Sequence, residues 1–292
     1  MLSPELKEVI RLAKRYNLVP VSRDLLADME TPIRVFQQFY EEKWAFLLES
    51  VEGGVKWARY SYIGTDPFLI ISAKDGVTVA EAGGERKTFH EPPLSVLKSY
   101  LRAYRSPALP DLPRFTGGAV GFFGYDLLRY YEKLPAHRND DLQMNDIRFM
   151  FCDQVIVFDH FKQRVKVIAN VHIPDVATDE AIAAAYRETC AKIDRMIEKL
   201  RSPGASFAIS HNPLQDDVEL GDIRSNVTKE QFMDAVEKAR EYIRAGDIFQ
   251  VVLSQRFEIK TDVSPLHVYR ILRTTNPSPY MYCLKMDGEV IV

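Results

Sequence analysis

Apolar and polar positions along this chain follow two distinguishable rhythms, and residues 228–259 show both. Phe232, Val236, Ala239, Tyr242 and Ile243 recur at helical spacing on an otherwise charged segment, which predicts an amphipathic helix. Thr228 with Gln231 three residues on makes a capping box at its start, and Gly246 falls where a left-handed residue would close it. From Ile248 to Ile259 the run is nearly continuously apolar, broken by Gln250, Ser254, Gln255 and Arg256. That predicts one long strand buried in a sheet. An amide such as Gln250 among such neighbours needs a partner, from the sheet or from a ligand.

The same reading applies upstream. Ser3-Pro4 supplies an N-cap and a first helical position for a helix to about Tyr16, and Leu18–Ser22 is extended. Thr31-Pro32 opens a helix over Ile33–Tyr40 with Val35, Phe36 and Phe39 inward. Trp44–Ser50, Arg59–Ile63 and Phe68–Ala73 are predicted strands, the first followed by a turn at Glu52-Gly53-Gly54. Asp75-Gly76 before Val77–Val79 is a hairpin signal. Leu94–Arg105 and Tyr125–Glu132 are helical, Ile147–Asp159 and Arg164–Val171 pair as strands, and Asp179–Arg201 is a long helix. The glycines from Gly117 to Gly124 lack both the G-x-G start of a dinucleotide loop and the Lys-Ser/Thr of a P-loop. Close sheet packing or a bulge explains them better.

Near the end of the chain, Leu266–Arg273 is helical. Asn276-Pro277-Ser278-Pro279 forms an irregular loop that delivers Tyr280, Met281 and Tyr282 into a strand. Met286-Asp287-Gly288-Glu289 then turns into Val290–Val292. These elements predict an α+β fold: strand-rich mixed sheets packed in a layered sandwich with helices outside, the C-terminal sheet incomplete. The expected organisation is a regulatory region over 1–205, a polar, Pro-containing linker over 206–222, and the start of a second, catalytic domain over 223–292. A stop four residues into an apolar strand points to an N-terminal fragment of a longer protein.

Composition narrows the class. With 38 basic and 41 acidic residues in 292, the chain offers no electrostatic case for nucleic acid or an anionic membrane. No apolar run is long enough to span a bilayer, and the N-terminus lacks a signal-peptide core. Cys152, Cys190 and Cys283 are few, odd in number and far apart, giving neither a disulfide framework nor a zinc pattern. A reduced cytoplasm is the expected location.

Three motifs then carry a resemblance. Gly246–Phe257, GDIFQVVLSQRF, resembles the opening of the catalytic domain of chorismate-utilising enzymes. Leu47–Ser50, LLES, and Asn276–Leu284, NPSPYMYCL, resemble anthranilate synthase component I in particular. That resemblance implies conversion of chorismate, with ammonia and Mg²⁺, to anthranilate and pyruvate. It also implies a glutamine amidotransferase partner that supplies the ammonia, and feedback inhibition by L-tryptophan. The tryptophan site it implies comprises Ser50, Pro279, Tyr280 and Met281, with Glu49 and Asn276 in support and Lys56 as a loosely aligned counter-ion. Taken without the family, Ser50 is a strand-end residue satisfying a neighbour, and Tyr280 and Met281 are core. Only the coincidence of both motifs in one chain favours the ligand site.

Gln250 bears on reaction type. Relatives that add water to chorismate resemble this segment but carry a lysine base there. Glutamine accepts no proton at neutral pH, which suits ammonia as nucleophile. The family's Mg²⁺ ligands and catalytic groups lie beyond Val292, so no catalytic residue is assigned within the chain, and the chain alone is expected to be inactive. Two alternatives stay open: aminodeoxychorismate synthase component I, whose loop departs from NPSPYM, and a tryptophan-binding fragment without catalysis.

Overall fold

The computed structural model describes residues 2–26, 28–50, 59–134, 140–202 and 223–292. The turn expected at 52–54, Lys56 and the linker expected at 206–222 lie outside those residues. The chain forms two compact units, one of residues 1–206 with 265–292 and one of residues 207–264.

The larger unit is built on two antiparallel sheets. Eight strands form the first: β1 (Leu2–Ser3), β2 (Leu18–Leu26), β3 (Trp44–Glu49), β4 (Tyr60–Thr65), β10 (Gln154–Asp159), β11 (Arg164–His172), β14 (Met281–Met286) and β15 (Glu289–Ile291), in the order β1-β2-β11-β10-β4-β3-β14-β15. Five form the second: β5 (Leu69–Lys74), β6 (Val77–Ala82), β7 (Glu85–Phe89), β8 (Gly118–Phe123) and β9 (Ile147–Cys152), in the order β7-β6-β5-β9-β8. Residues alternate between faces along a strand, and the cores follow that alternation. Leu47, Ile63 and Val167 pack with Phe36, Ile193 and Tyr269 from helices α2 (Pro32–Phe39), α4 (Asp179–Arg201) and α6 (Pro265–Thr275). Their neighbours Phe46 and Ile168 pack with Met150 and Val120 between the two sheets. Ile71, Phe149 and Phe151 meet Leu97 of α3 (Pro93–Ala103) on the far side. The result is the expected α+β sandwich: helices, sheet, sheet, helix.

Local chemistry explains several boundaries. Thr31 and Thr178 cap α2 and α4 by accepting from the backbone of Arg34 and Ala181. Asp75 and Gly76 turn between β5 and β6 with φ of 48° and 84°, the left-handed pair that a two-residue hairpin requires. Gly121 lets β8 approach β9 closely: a Cβ there would stand 2.0 Å from the Arg148 carbonyl oxygen.

Four expectations change. Ser3 does not cap a helix, because its backbone is held in the β1–β2 ladder opposite Ser22. Glu5 occupies the cap instead, and α1 covers only Leu6–Ala13. The predicted single strand 147–159 is two strands in two sheets, divided at Asp153. The predicted strand 248–259 is reduced to β13 (Phe257–Glu258), paired with β12 (Arg224–Ser225) in the smaller unit. A strand that is apolar on both faces needs neighbours to cover it. Among the described residues none does, leaving Phe249 and Val252 exposed. In the same unit, α5 (Lys229–Ala245) has the expected capping box, and Gly246 ends it at φ 82°. The expected boundary at 223 does not coincide with the division into units, since residues 265–292 complete the large sheet.

At the crossing between sheets, Asp153 is buried and its carboxylate meets His172 Nε2 at 3.1 Å and Lys192 Nζ at 3.0 Å. Its carbonyl accepts from the Asn170 backbone and side chain at 2.8 and 3.0 Å. Burial is the largest single influence and opposes ionisation. His172 and Lys192 together outweigh it and hold the carboxyl below its ordinary value. A depressed folded pKa contributes stability that is fully present above the unfolded value near ~3.9 and fades as pH falls through the folded one. Asp153→Asn is therefore expected to lower the urea midpoint at pH 7, with the gap from wild type narrowing as pH falls below the unfolded value near ~3.9. A gap independent of pH would show that the ion pairing contributes nothing.

Candidate functional site

The last residues of β3 and the first of β14 define the site. Alternation turns Glu49 toward the helical layer, where it is buried at 4 % exposure. A carboxylate so placed must be paired. Helix α6 presents Tyr269 and Arg273 one turn apart on one face. The Tyr269 hydroxyl donates to Glu49 Oε2 at 2.7 Å, and Arg273 donates through Nη2 to Oε1 at 3.2 Å, with its Nε 3.0 Å from Oε2. Burial first, and the neighbouring carboxylate second, push the Tyr269 phenol well above its ordinary value, so it stays a neutral donor.

Across the ladder, Ser61 of β4 stands opposite Glu49 on one side and Met281 of β14 on the other. The Ser61 hydroxyl and His160 Nε2 lie 2.8 Å apart. Burial lowers the His160 pKa, with Arg273 acting in the same direction and Glu49 against it. At the tip of β3, the Ser50 hydroxyl donates to the Pro279 carbonyl at 3.2 Å. Met281 is buried, while Tyr280 is 66 % exposed. The Asn276 amide donates to Leu272 and closes α6 before the double-proline loop.

The six residues proposed from the two motifs thus fall on one sheet end and the loop that feeds it. The structure brings Glu49, Ser50, Pro279 and Met281 into direct register or contact, and leaves Tyr280 and Asn276 on the exposed side of that loop. Both motifs belong to one sheet within one unit, not to two separate bodies as the domain expectation implied, because β14 pairs with β3 directly. Glu49 already accepts from Tyr269 and Arg273, so it serves to fix the floor of the site. Tyr269, Arg273, Ser61 and His160 were not singled out from the sequence. The only available signal was the i, i+4 spacing of Tyr269 and Arg273 in the helix before the loop. Gln250 lies in the smaller unit, exposed and outside any strand. Among the described residues no group of three or more acidic, histidine or cysteine side chains is arranged to hold a metal ion. They do not fit a Mg²⁺ site, and no chemistry is assigned through one.

Residues 46–292 match the family described as chorismate binding enzyme, and the chain belongs to that family. It is similar to anthranilate synthase component 1 of Acetivibrio thermocellus, 45% identical over 294 residues, covering 100% of this chain and 58% of that protein. It is also similar to anthranilate synthase component 1 of Aquifex aeolicus (strain VF5), 37% identical over 293 residues with the same coverage of each. Among solved structures, anthranilate synthase component I from Streptococcus pneumoniae TIGR4 matches with a TM-score of 0.61 at 29% identity, over 89% of this chain and 54% of that one. The chain spans less than two thirds of the length of these relatives. Among the described residues no helix is long and apolar enough to cross a membrane.

Proposed function

We propose that this chain is part of the catalytic subunit of an anthranilate synthase and carries the site through which L-tryptophan inhibits it. The reaction combines chorismate with ammonia to give anthranilate, pyruvate and water, the ammonia coming from a glutamine amidotransferase subunit, in the cytoplasm. The observation that carries the regulatory part is the convergence of LLES and NPSPYM: Met281 faces Glu49 in register and Ser50 bonds Pro279. An amino-acid zwitterion needs hydroxyl and backbone partners, and an indole needs an apolar slot. A loop stiffened by Pro277 and Pro279 holds such a slot at a lower entropic cost on binding. Inhibition then follows by linkage, tryptophan binding one conformation better than the substrate-competent one.

Calorimetric titration of the purified chain with L-tryptophan, with L-phenylalanine as control, tests this. Selective binding is expected, and a folded chain that binds neither sinks the regulatory assignment. Ser50→Phe removes the hydroxyl that bonds the Pro279 carbonyl and puts a bulky ring in its place. It is expected to weaken tryptophan binding by at least about tenfold, in line with the loss of one or two hydrogen bonds and a steric clash. In the whole enzyme it should relieve inhibition with little change in uninhibited turnover. Normal inhibition of that variant would place the site elsewhere.

A further inference from the structure

Strand β4 has a second polar face. While Ser61 and Ile63 turn toward the helical layer, Tyr60 and Tyr62 turn to the opposite side, onto a cleft of about 860 Å³ that the 109–114 segment walls off. That volume is within the range of small-molecule sites, ~300–1,000 Å³. The two rings, with centroids 6.0 Å apart and planes at 44°, make an aromatic floor. Leu109, Pro110 and Leu112 add an apolar wall. Five basic side chains and three acidic ones line the cleft, so its charge is positive.

The pairing of those charges is uneven. Arg59 lies 4.8 Å over the Tyr60 ring and is committed to Asp159 through two hydrogen bonds of 3.2 and 2.9 Å. Arg164 and Lys166 pair with Asp24. Arg114 and Lys162 enter no ion pair among the described residues, and the Tyr60 and Tyr62 hydroxyls have no hydrogen-bond partner there. Lys162 is set in place by its own amide, which donates to Asp159 Oδ1 at 3.1 Å. Burial pushes the Tyr62 phenol up to about 12, so it remains a donor at neutral pH. Two cations without an ion-pair contact, Lys162 beside the Arg59-bound Asp159 and Arg114 with Asp111 in the same lining, and two phenols without a hydrogen-bond partner over an aromatic floor offer donors to an anion and a flat surface to its carbon skeleton.

We propose that this cleft is a binding site for a small cyclic or aromatic carboxylate, its carboxylate held by Arg114 and Lys162 and its ring laid on Tyr60 and Tyr62. The site is independent of the proposed tryptophan site, which is built on the end of β3, the start of β14 and the loop before it. The probe is benzoate, titrated calorimetrically into the purified chain with and without saturating L-tryptophan, with benzamide as the uncharged control. Tyrosine ring resonances from ¹³C labelling report the location. Benzoate is expected to bind equally in both conditions and to shift Tyr60 and Tyr62, while benzamide does not bind. Both cations are exposed, so Arg114→Gln/Lys162→Gln keeps the fold, and it should weaken benzoate by at least about tenfold. Tyr62→Phe should weaken it less, by about threefold. Absence of benzoate binding, equal affinity in the double variant, or binding abolished by tryptophan each overturns the proposal.

Discussion

Among the described glycines, alanine at Gly121 is expected to be the most damaging change. The added carbon would stand 2.0 Å from the Arg148 carbonyl oxygen and 2.7 Å from Phe149 Cα. Both are backbone atoms of β9, which is fixed between β5 and β8 in the small sheet, so no rotamer change relieves the clash and the strands must part. Overpacking of this kind costs about 3 kcal/mol or more. For a chain of this size that lowers the melting temperature by roughly 6–12 °C. Gly124 supplies an internal comparison: its added Cβ meets the Asp146 carbonyl at 3.1 Å, and Gly124→Ala should be clearly milder. Thermal melts of the two variants decide the matter, and equal losses would show that β8 does not approach β9 as described.

Glu49→Ala is the second large effect, and it couples stability to the proposed regulation. Removing the carboxylate leaves the fully buried Tyr269 hydroxyl without its acceptor and Arg273 without its counter-ion. Breaking a buried pair from one side costs about 3–5 kcal/mol. Arg273 is 35% exposed and regains some water, so the lower end applies. A double-mutant cycle with Tyr269→Phe isolates the shared bond and should give a coupling of about 1–2 kcal/mol. Under the proposed function Glu49→Ala also loses tryptophan binding, since α6 and the loop after it are no longer anchored to β3. A variant that melts like wild type would show the Tyr269–Glu49–Arg273 cluster to be energetically idle.

What could be read from the sequence was local, and what could not depended on distant partners. The bounds of α4, Asp179–Arg201, were legible from its apolar spacing, and α5 followed from its capping box and Gly246. The hairpins at Asp75-Gly76 and Asp287-Gly288 were likewise legible, their residues holding the left-handed φ values their turns require. The break at Asp153 was not read, because an apolar run on both sides looks like one strand until the two sheets are known. The Ile248–Ile259 run has the composition of a buried strand, but strand formation requires neighbours, which composition cannot supply. β7, Glu-Arg-Lys-Thr-Phe, is too polar to show any periodicity and is a strand only because β6 lies beside it. At the candidate site the motif residues were found by resemblance. Tyr269 and Arg273 became visible only when α6 was seen packed over Glu49.

The pairing of β14 with β3 also sets a timetable. Ser50 and its acceptor Pro279 are 229 positions apart. At ~5–20 residues per second, a ribosome needs on the order of 10–50 s to travel between them. Throughout that interval β3, with Trp44, Phe46, Leu47 and Leu48 on its two faces, has β4 on one side and an open edge on the other. An unpaired apolar edge is a template for association with other chains. Newly made protein is therefore most exposed to aggregation before residue 286 leaves the ribosome, and a chaperone that shields extended apolar segments would act on it in that window.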